Sequence, residues 1–195
     1  MNRRAMQMDR TSLPAPDREA LHHAALAYLS RYAATEAGLR RVLERRIERW
    51  ARAANGSDDA VAAAKHTAAE IVARLAAAGA VSDSAFAESR ARSLARAGRS
   101  RRAIASALVA KGVDGKTARQ VLPSDEAELA AALALARRRH VGPFRDREVW
   151  AEPDEAVRRR ELGILARAGF SETVARRALA MPLEEAAALV DALRR

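Results

Sequence analysis

The chain has 195 residues, a formal net charge of +10 and a sequence pI near 11.2, so a polyanionic partner is expected: nucleic acid, a nucleoprotein or an acidic protein face. Cysteine is absent, which excludes disulfides, thiolate metal sites and a cysteine nucleophile. Aromatics make up only 4% and alanine dominates the apolar residues, so strands are disfavoured and the expected class is all-α.

The opening stretch, 1–17, is basic, contains Pro14 and Pro16, and has no apolar run after its arginines. It reads as a flexible tail, not a secretory signal, and with no membrane span in the sequence the expected location is the cytoplasm. A first helix is predicted over 19–32, with Leu21, Ala25, Leu29 and Tyr32 on its core side. Thr35 caps a second, 36–52, whose stripe Leu39, Leu43, Ile47 and Trp50 follows the 3.6-residue period. Asn55-Gly56-Ser57 breaks it, and a third helix, 59–78, begins with acidic residues and ends at Gly79. Ser82-Asp83 opens a fourth over 84–97, closed by Gly98, and Ser100 caps a fifth, 101–111, stopped by Gly112-Val113. Asp114 caps a short sixth that Pro123 ends. Ser124 with Asp125 and Glu126 opens a seventh that finishes in Arg137, Arg138, Arg139 and His140, before Gly142-Pro143. Pro153-Asp154 starts an eighth to Ala168, Ser171 caps a ninth to Ala180, and 183–195 is a last amphipathic segment.

These helices repeat. Leu108, Gly112-Val113-Asp114, Ala118-Arg119 and Leu122 recur in order and spacing as Leu165, Gly169-Phe170-Ser171, Ala175-Arg176 and Leu179. A fainter copy upstream aligns Leu29, Thr35, Leu39 and Leu43 with Leu94, Ser100, Ile104 and Leu108. Agreement of caps, stops and apolar positions together predicts three tandem three-helix repeats, 19–79, 82–122 and 124–180, forming an elongated, curved body.

The middle repeat carries a recognisable pattern: Asp83 shortly before Phe86-Ala87, Arg92 on the same helix, the Gly98 turn, Arg101-Arg102 before Ile104, then Leu108 and Lys111-Gly112-Val113. This resembles the signature segment of RecX regulators, which are also built from three tandem three-helix repeats. The sequence departs from the pattern at Ser100, where a second glycine is frequent, at Ala103, where arginine is common, and at Arg90, where an apolar residue is usual; Arg46-Ile47 replaces a Lys-Gly stop in the first repeat. The resemblance implies a cytosolic, monomeric, non-catalytic protein of recombinational DNA repair and the SOS response. Its partners would be the RecA filament and single-stranded DNA, reached directly or through RecA, and it would reduce the filament's ATP hydrolysis and strand exchange.

On the wheel of the fourth helix, Phe86, Ala87, Ala91 and Leu94 make the core side, while Arg92 and Arg96 share a flank that Arg99 extends. A guanidinium row suits phosphates or carboxylates, although a charge run is equally what a solvated helix face looks like. Arg101 and Arg102 sit in a first turn, where positive charge opposes the helix dipole, whereas Lys111 sits at a helix end that favours it. These six, Arg92, Arg96, Arg99, Arg101, Arg102 and Lys111, are the candidate filament- or DNA-binding residues. Phe144, Arg145, Arg147 and Trp150 are expected to pack the loop between the seventh and eighth helices onto its neighbours, with base stacking as the alternative. His22, His23, His66 and His140 lack partners at metal-ligand spacing, and no phosphate loop or nucleophile motif occurs, so no catalytic residue, cofactor or metal is expected. A general basic nucleic-acid-binding module without RecA specificity, and a scaffold for an uncharged partner, are the competing readings.

Overall fold

The computed structural model describes residues 14–145 and 154–194, and all regular structure among them is helical. The chain divides into two compact units, Met1–Ser82 and Asp83–Arg195.

In the first unit, α1 (Arg18–Leu29), α2 (Glu36–Ala54) and α3 (Asp58–Ala77) enclose one core. Each start is fixed by a side-chain oxygen that takes an otherwise unpaired amide: Asp17 from Ala20 at 2.8 Å, Thr35 from Gly38 at 2.9 Å and Ser57 from Ala60 at 3.3 Å. Leu39, Leu43 and Ile47 are fully buried on the predicted stripe. Burial of such side chains stabilises by roughly 1.5–3 kcal/mol each. Trp50 is half-buried at the edge of that core, its ring lying over Gly56. Tyr32 departs from expectation. Helix α1 stops at Leu29 instead of reaching 32, so Tyr32 leaves the core stripe, is 57% exposed, and leans on Tyr28 with ring centroids 5.1 Å apart.

The second unit contains α4 (Asp83–Arg96), α5 (Arg101–Lys111), α6 (Gly115–Gln120), α7 (Asp125–Arg139), a 3-10 turn at Gly142–Phe144, α8 (Glu155–Arg167), α9 (Glu172–Leu179) and α10 (Leu183–Arg194). It holds two cores: Ala87, Ala91, Ala95, Ile104, Leu108, Val113 and Ala118 between α4, α5 and α6, and a larger one between α7, α8, α9 and α10. The sequence repeat is visible as geometry. Gly112 and Gly169 both adopt left-handed backbone (φ 95° and 91°), and the next amide turns back to the carbonyl five residues behind it in the same motif, Val113 to Leu108 at 3.1 Å and Phe170 to Leu165 at 3.2 Å. The buried Val113 and Phe170 side chains then close the helix end.

Helix α7 is the centre of this unit: every residue from 129 to 136 is buried, and α4, α8, α9 and α10 all pack on it. A helix that is apolar all round has to be enclosed, and its alanines let neighbours come close. At Gly98 (φ 67°), a Cβ would lie 3.0 Å from the Ala131 carbonyl oxygen and 3.1 Å from the Leu135 nitrogen, so only glycine lets the α4–α5 turn seat against α7. Ser100 is completely buried beside it; its hydroxyl accepts the α5 capping bond from the Ala103 amide (3.2 Å) and donates to the Ala168 carbonyl at the end of α8 (2.9 Å). The serine standing in place of a second glycine thus ties two helix turns together.

Phe144 packs on the larger core, and Arg145 forms a paired contact with Glu161 of α8. The loop's start is therefore packed, as favoured over base stacking; Arg147 and Trp150 lie outside the described residues.

Candidate functional site

Arg92, Arg96 and Arg99 are all exposed, one to two turns apart along the outer side of α4 and its end, with Ala87, Ala91 and Ala95 turned to the core. Arg92 meets Glu88 at 3.8 Å across one turn, an exposed pair of the kind worth about 0.3–0.5 kcal/mol, so it does not hold the guanidinium firmly. Arg96 and Arg99 have no ion-pair partner among the described residues.

Arg99 is the most informative of the three. Gly98 ends α4 in left-handed backbone, and the Arg99 amide bonds to the Leu94 carbonyl at 3.0 Å, the same stop seen after α5, α7 and α8. There the corresponding residues, Val113, Val141 and Phe170, are buried and cover the helix end, whereas the same stop after α3 places a small, exposed Ala80 at this position. An exposed arginine at that position forgoes the apolar contact that usually accompanies the motif, and a local rule broken without a packing gain points to use elsewhere.

Arg101 has a structural explanation that its helix-start position does not reveal. Its guanidinium pairs with Asp125 and its backbone amide donates to Glu128 Oε1 at 3.0 Å, so two carboxylates from the first turn of α7 offset its unfavourable place on the dipole of α5. Arg102 is exposed on the same turn, near Gly169. Lys111 is exposed in the last turn of α5. Arg90, which falls within the apolar arc of the α4 wheel where the RecX pattern has an apolar residue, is exposed one turn from each of the half-buried Phe86 and Leu94.

Two groupings were not singled out from the sequence. One is the Arg145–Glu161 pair, since Glu161 is buried one turn before Leu165, the register position that Ile104 holds before Leu108. The other lies in the first unit, where Arg45, Arg49 and Arg52 line a recess of about 310 Å³ with Tyr28 and Val42. The signal for it was present as arginines at i, i+4 and i+7 on one side of α2. Among the described residues no group of three or more His, Cys, Asp or Glu side chains could hold a metal ion, and no helix is long and apolar enough to cross a membrane.

Comparison with known proteins agrees with this architecture. Residues 82–122, spanning α4 to α6, match the family described as RecX, second three-helix domain. The crystal structure of RecX from Lactobacillus salivarius superposes with a TM-score of 0.60 at 18% identity, covering 92% of this chain and 99% of that one; this likeness concerns the fold. Among sequences, the chain is 40% identical over 107 residues to the regulatory protein RecX of Agrobacterium fabrum, 55% of each chain. It is 39% identical over 162 residues to the regulatory protein RecX of Myxococcus xanthus, 82% of this chain and 83% of that one. On that identity and coverage, the chain belongs to the RecX family.

Proposed function

We propose that this protein is a non-catalytic regulator that binds the RecA filament on single-stranded DNA, in the cytoplasm, and lowers its ATP hydrolysis and strand exchange. Arg92, Arg96 and Arg99 form the contact, with Arg102 and Lys111 beside them and Arg101 serving mainly to join α5 to α7. The repeats 19–79, 82–122 and 124–180 are the structural modules, flanked by the 1–17 tail and the 183–195 segment. The observation that carries the reading is the exposed Arg99 at a helix stop whose counterparts after α5, α7 and α8 are buried and apolar, inside the segment that matches the RecX domain.

The test is the DNA-stimulated ATPase of the host's own RecA, with this protein titrated well below one copy per RecA at two salt concentrations. Inhibition that persists at the higher salt, and is lost in a folded R92E/R96E/R99E variant, is the expected result. The net charge favours a general nucleic-acid module as the second reading. An unchanged ATPase together with salt-sensitive binding to bare DNA would select it.

A further inference from the structure

Helices α2 and α5 begin at matching positions of their repeats, Glu36 and Arg101, yet α2 has 19 residues and α5 has 11. Where Lys111-Gly112 stops α5, Arg46-Ile47 lets α2 run on for about two more turns. The prolonged part of α2 walls a recess of about 620 Å³, which the segment leading into α1 closes on the other side.

The recess has an apolar part and a charged part. Pro14, Pro16, Ala20 and Trp50 make the first, and Arg46 and Arg49, one turn apart on α2, make the second. Both arginines are exposed, and among the described residues neither has an ion-pair partner. The carboxylates nearby are engaged elsewhere: Glu48 pairs with Lys65 of α3 at 3.1 Å, and Asp17, which also lines the recess, accepts the Ala20 amide at 2.8 Å as the cap of α1.

These two parts together select the chemistry of an occupant. Guanidinium forks match carboxylates, and arginine beside tryptophan is the combination that most often dominates protein interfaces. A nucleic-acid strand would meet the arginines, but a base needs an open aromatic face, and the Trp50 ring already lies over Gly56 and packs at the edge of the core. The chain's own 1–13 segment carries Arg3, Arg4 and Arg10 against Asp9, so its charge has the wrong sign. An acidic peptide with one large apolar side chain among its carboxylates satisfies both parts.

We propose that this recess docks an acidic segment of a partner protein, with carboxylates on Arg46 and Arg49 and an apolar side chain against Pro14, Pro16 and Trp50. The site lies in the first unit, apart from Arg92, Arg96 and Arg99, and does not depend on the filament reading.

The experiment is fluorescence anisotropy with the full chain, without RecA, using a short labelled peptide of Asp and Glu around one central Phe. Two further peptides replace the Phe by Ser, or the acidic residues by Lys. The protein variants are R46Q/R49Q, Ala20→Glu and R92E/R96E/R99E, each checked for helical content and melting. Ala20 lies in the first turn of α1, where a glutamate is favoured by the helix dipole and by the capping arrangement, so Ala20→Glu places a repelling charge in the recess without weakening the helix. The acidic Phe peptide is expected to bind, and R46Q/R49Q and Ala20→Glu each to weaken it at least about tenfold. Replacing its Phe by Ser should weaken it about fivefold or more, and the Lys peptide should not bind. R92E/R96E/R99E should bind the acidic peptide as the unaltered chain does, which separates this site from the filament contact. No binding of the acidic peptide, or full affinity in either recess variant, overturns the proposal. Equal binding of the Phe and Ser peptides overturns it in favour of unspecific charge attraction, and oligothymidine losing as much affinity as the peptide in both recess variants overturns it in favour of a nucleic-acid strand.

Discussion

Glu161 and Arg145 meet through two parallel hydrogen bonds, Nε to Oε1 at 3.0 Å and Nη2 to Oε2 at 2.6 Å, with the carboxylate almost wholly enclosed by the core of α7 to α10. A charged pair here replaces the apolar contact that Ile104 makes at the matching position of the preceding repeat. Breaking such a pair leaves one charge buried and uncompensated, so Glu161→Ala is expected to cost about 3–5 kcal/mol in chemical denaturation. The double replacement E161I/R145M should recover most of that loss, since apolar groups of similar volume can fill the space. Equal destabilisation by the single and double variants would show that the pair is not what holds this segment down.

A second pair of residues tests the tie between helix turns. Gly169→Ala adds a Cβ 2.6 Å from Ser100 Oγ on a left-handed backbone, and Ser100→Gly removes the obstruction together with the bond to Ala168. Gly169→Ala alone should lower stability by about 1–3 kcal/mol, from strain and crowding together. In S100G/G169A the crowding is relieved and only the backbone strain remains, so the two changes are expected to be less damaging together than their sum, by a double-mutant cycle on denaturation midpoints.

The arginines around the α4–α5 turn should separate into two groups. Arg101→Ala removes a partner of Asp125 on α7 and is expected to reduce stability by up to about 1 kcal/mol, because the pair is exposed on one side, while leaving inhibition of RecA ATPase near the unaltered level. R96A/R99A should do the opposite, with melting unchanged and inhibition weakened. If Arg101→Ala abolished inhibition without affecting melting, the division of roles would be wrong.

Asp114 supplies a pH signature. It caps α6, and hydrogen bonds from Thr117, with a further one from the Lys116 amide, hold its carboxyl below its ordinary value of 3.8. A lowered pKa in the folded state means that this contribution is fully present above 3.8 and is lost as pH falls through the lower, folded value. The melting difference between the unaltered chain and Asp114→Asn should therefore be constant near neutrality and shrink below about pH 4. A difference that does not change on acidification would assign the start of α6 to backbone geometry alone.

Helix ends were legible in the sequence because their chemistry is local. Thr35, Ser100, Asp114, Ser124 and Ser171 each act on an amide two or three residues away, and the left-handed glycines act on the turn they close. The core positions of α2 and α5 followed from spacing for the same reason. Tyr32 was placed wrongly because a period says which side a residue occupies only while the helix lasts, and α1 ends three residues before it. The enclosure of α7 could not be read, since alanine fits a buried face and a solvated one equally well. Exposure of Arg92, Arg96 and Arg99 was readable as periodicity, but Asp125 and Glu128 as partners of Arg101, and Ala168 as the second partner of Ser100, are set by tertiary packing and leave no local trace.

The alanine run of α7 has a further consequence for how the second unit opens. Its amides lie under four other helices, so releasing them to solvent requires those helices to move off together; backbone exchange with deuterium should therefore be slowest in the stretch made of the smallest side chains. Evolution can vary the outer helices position by position, whereas almost any enlargement along α7 pushes on several neighbours at once. Rigidity in this unit resides where bulk is least.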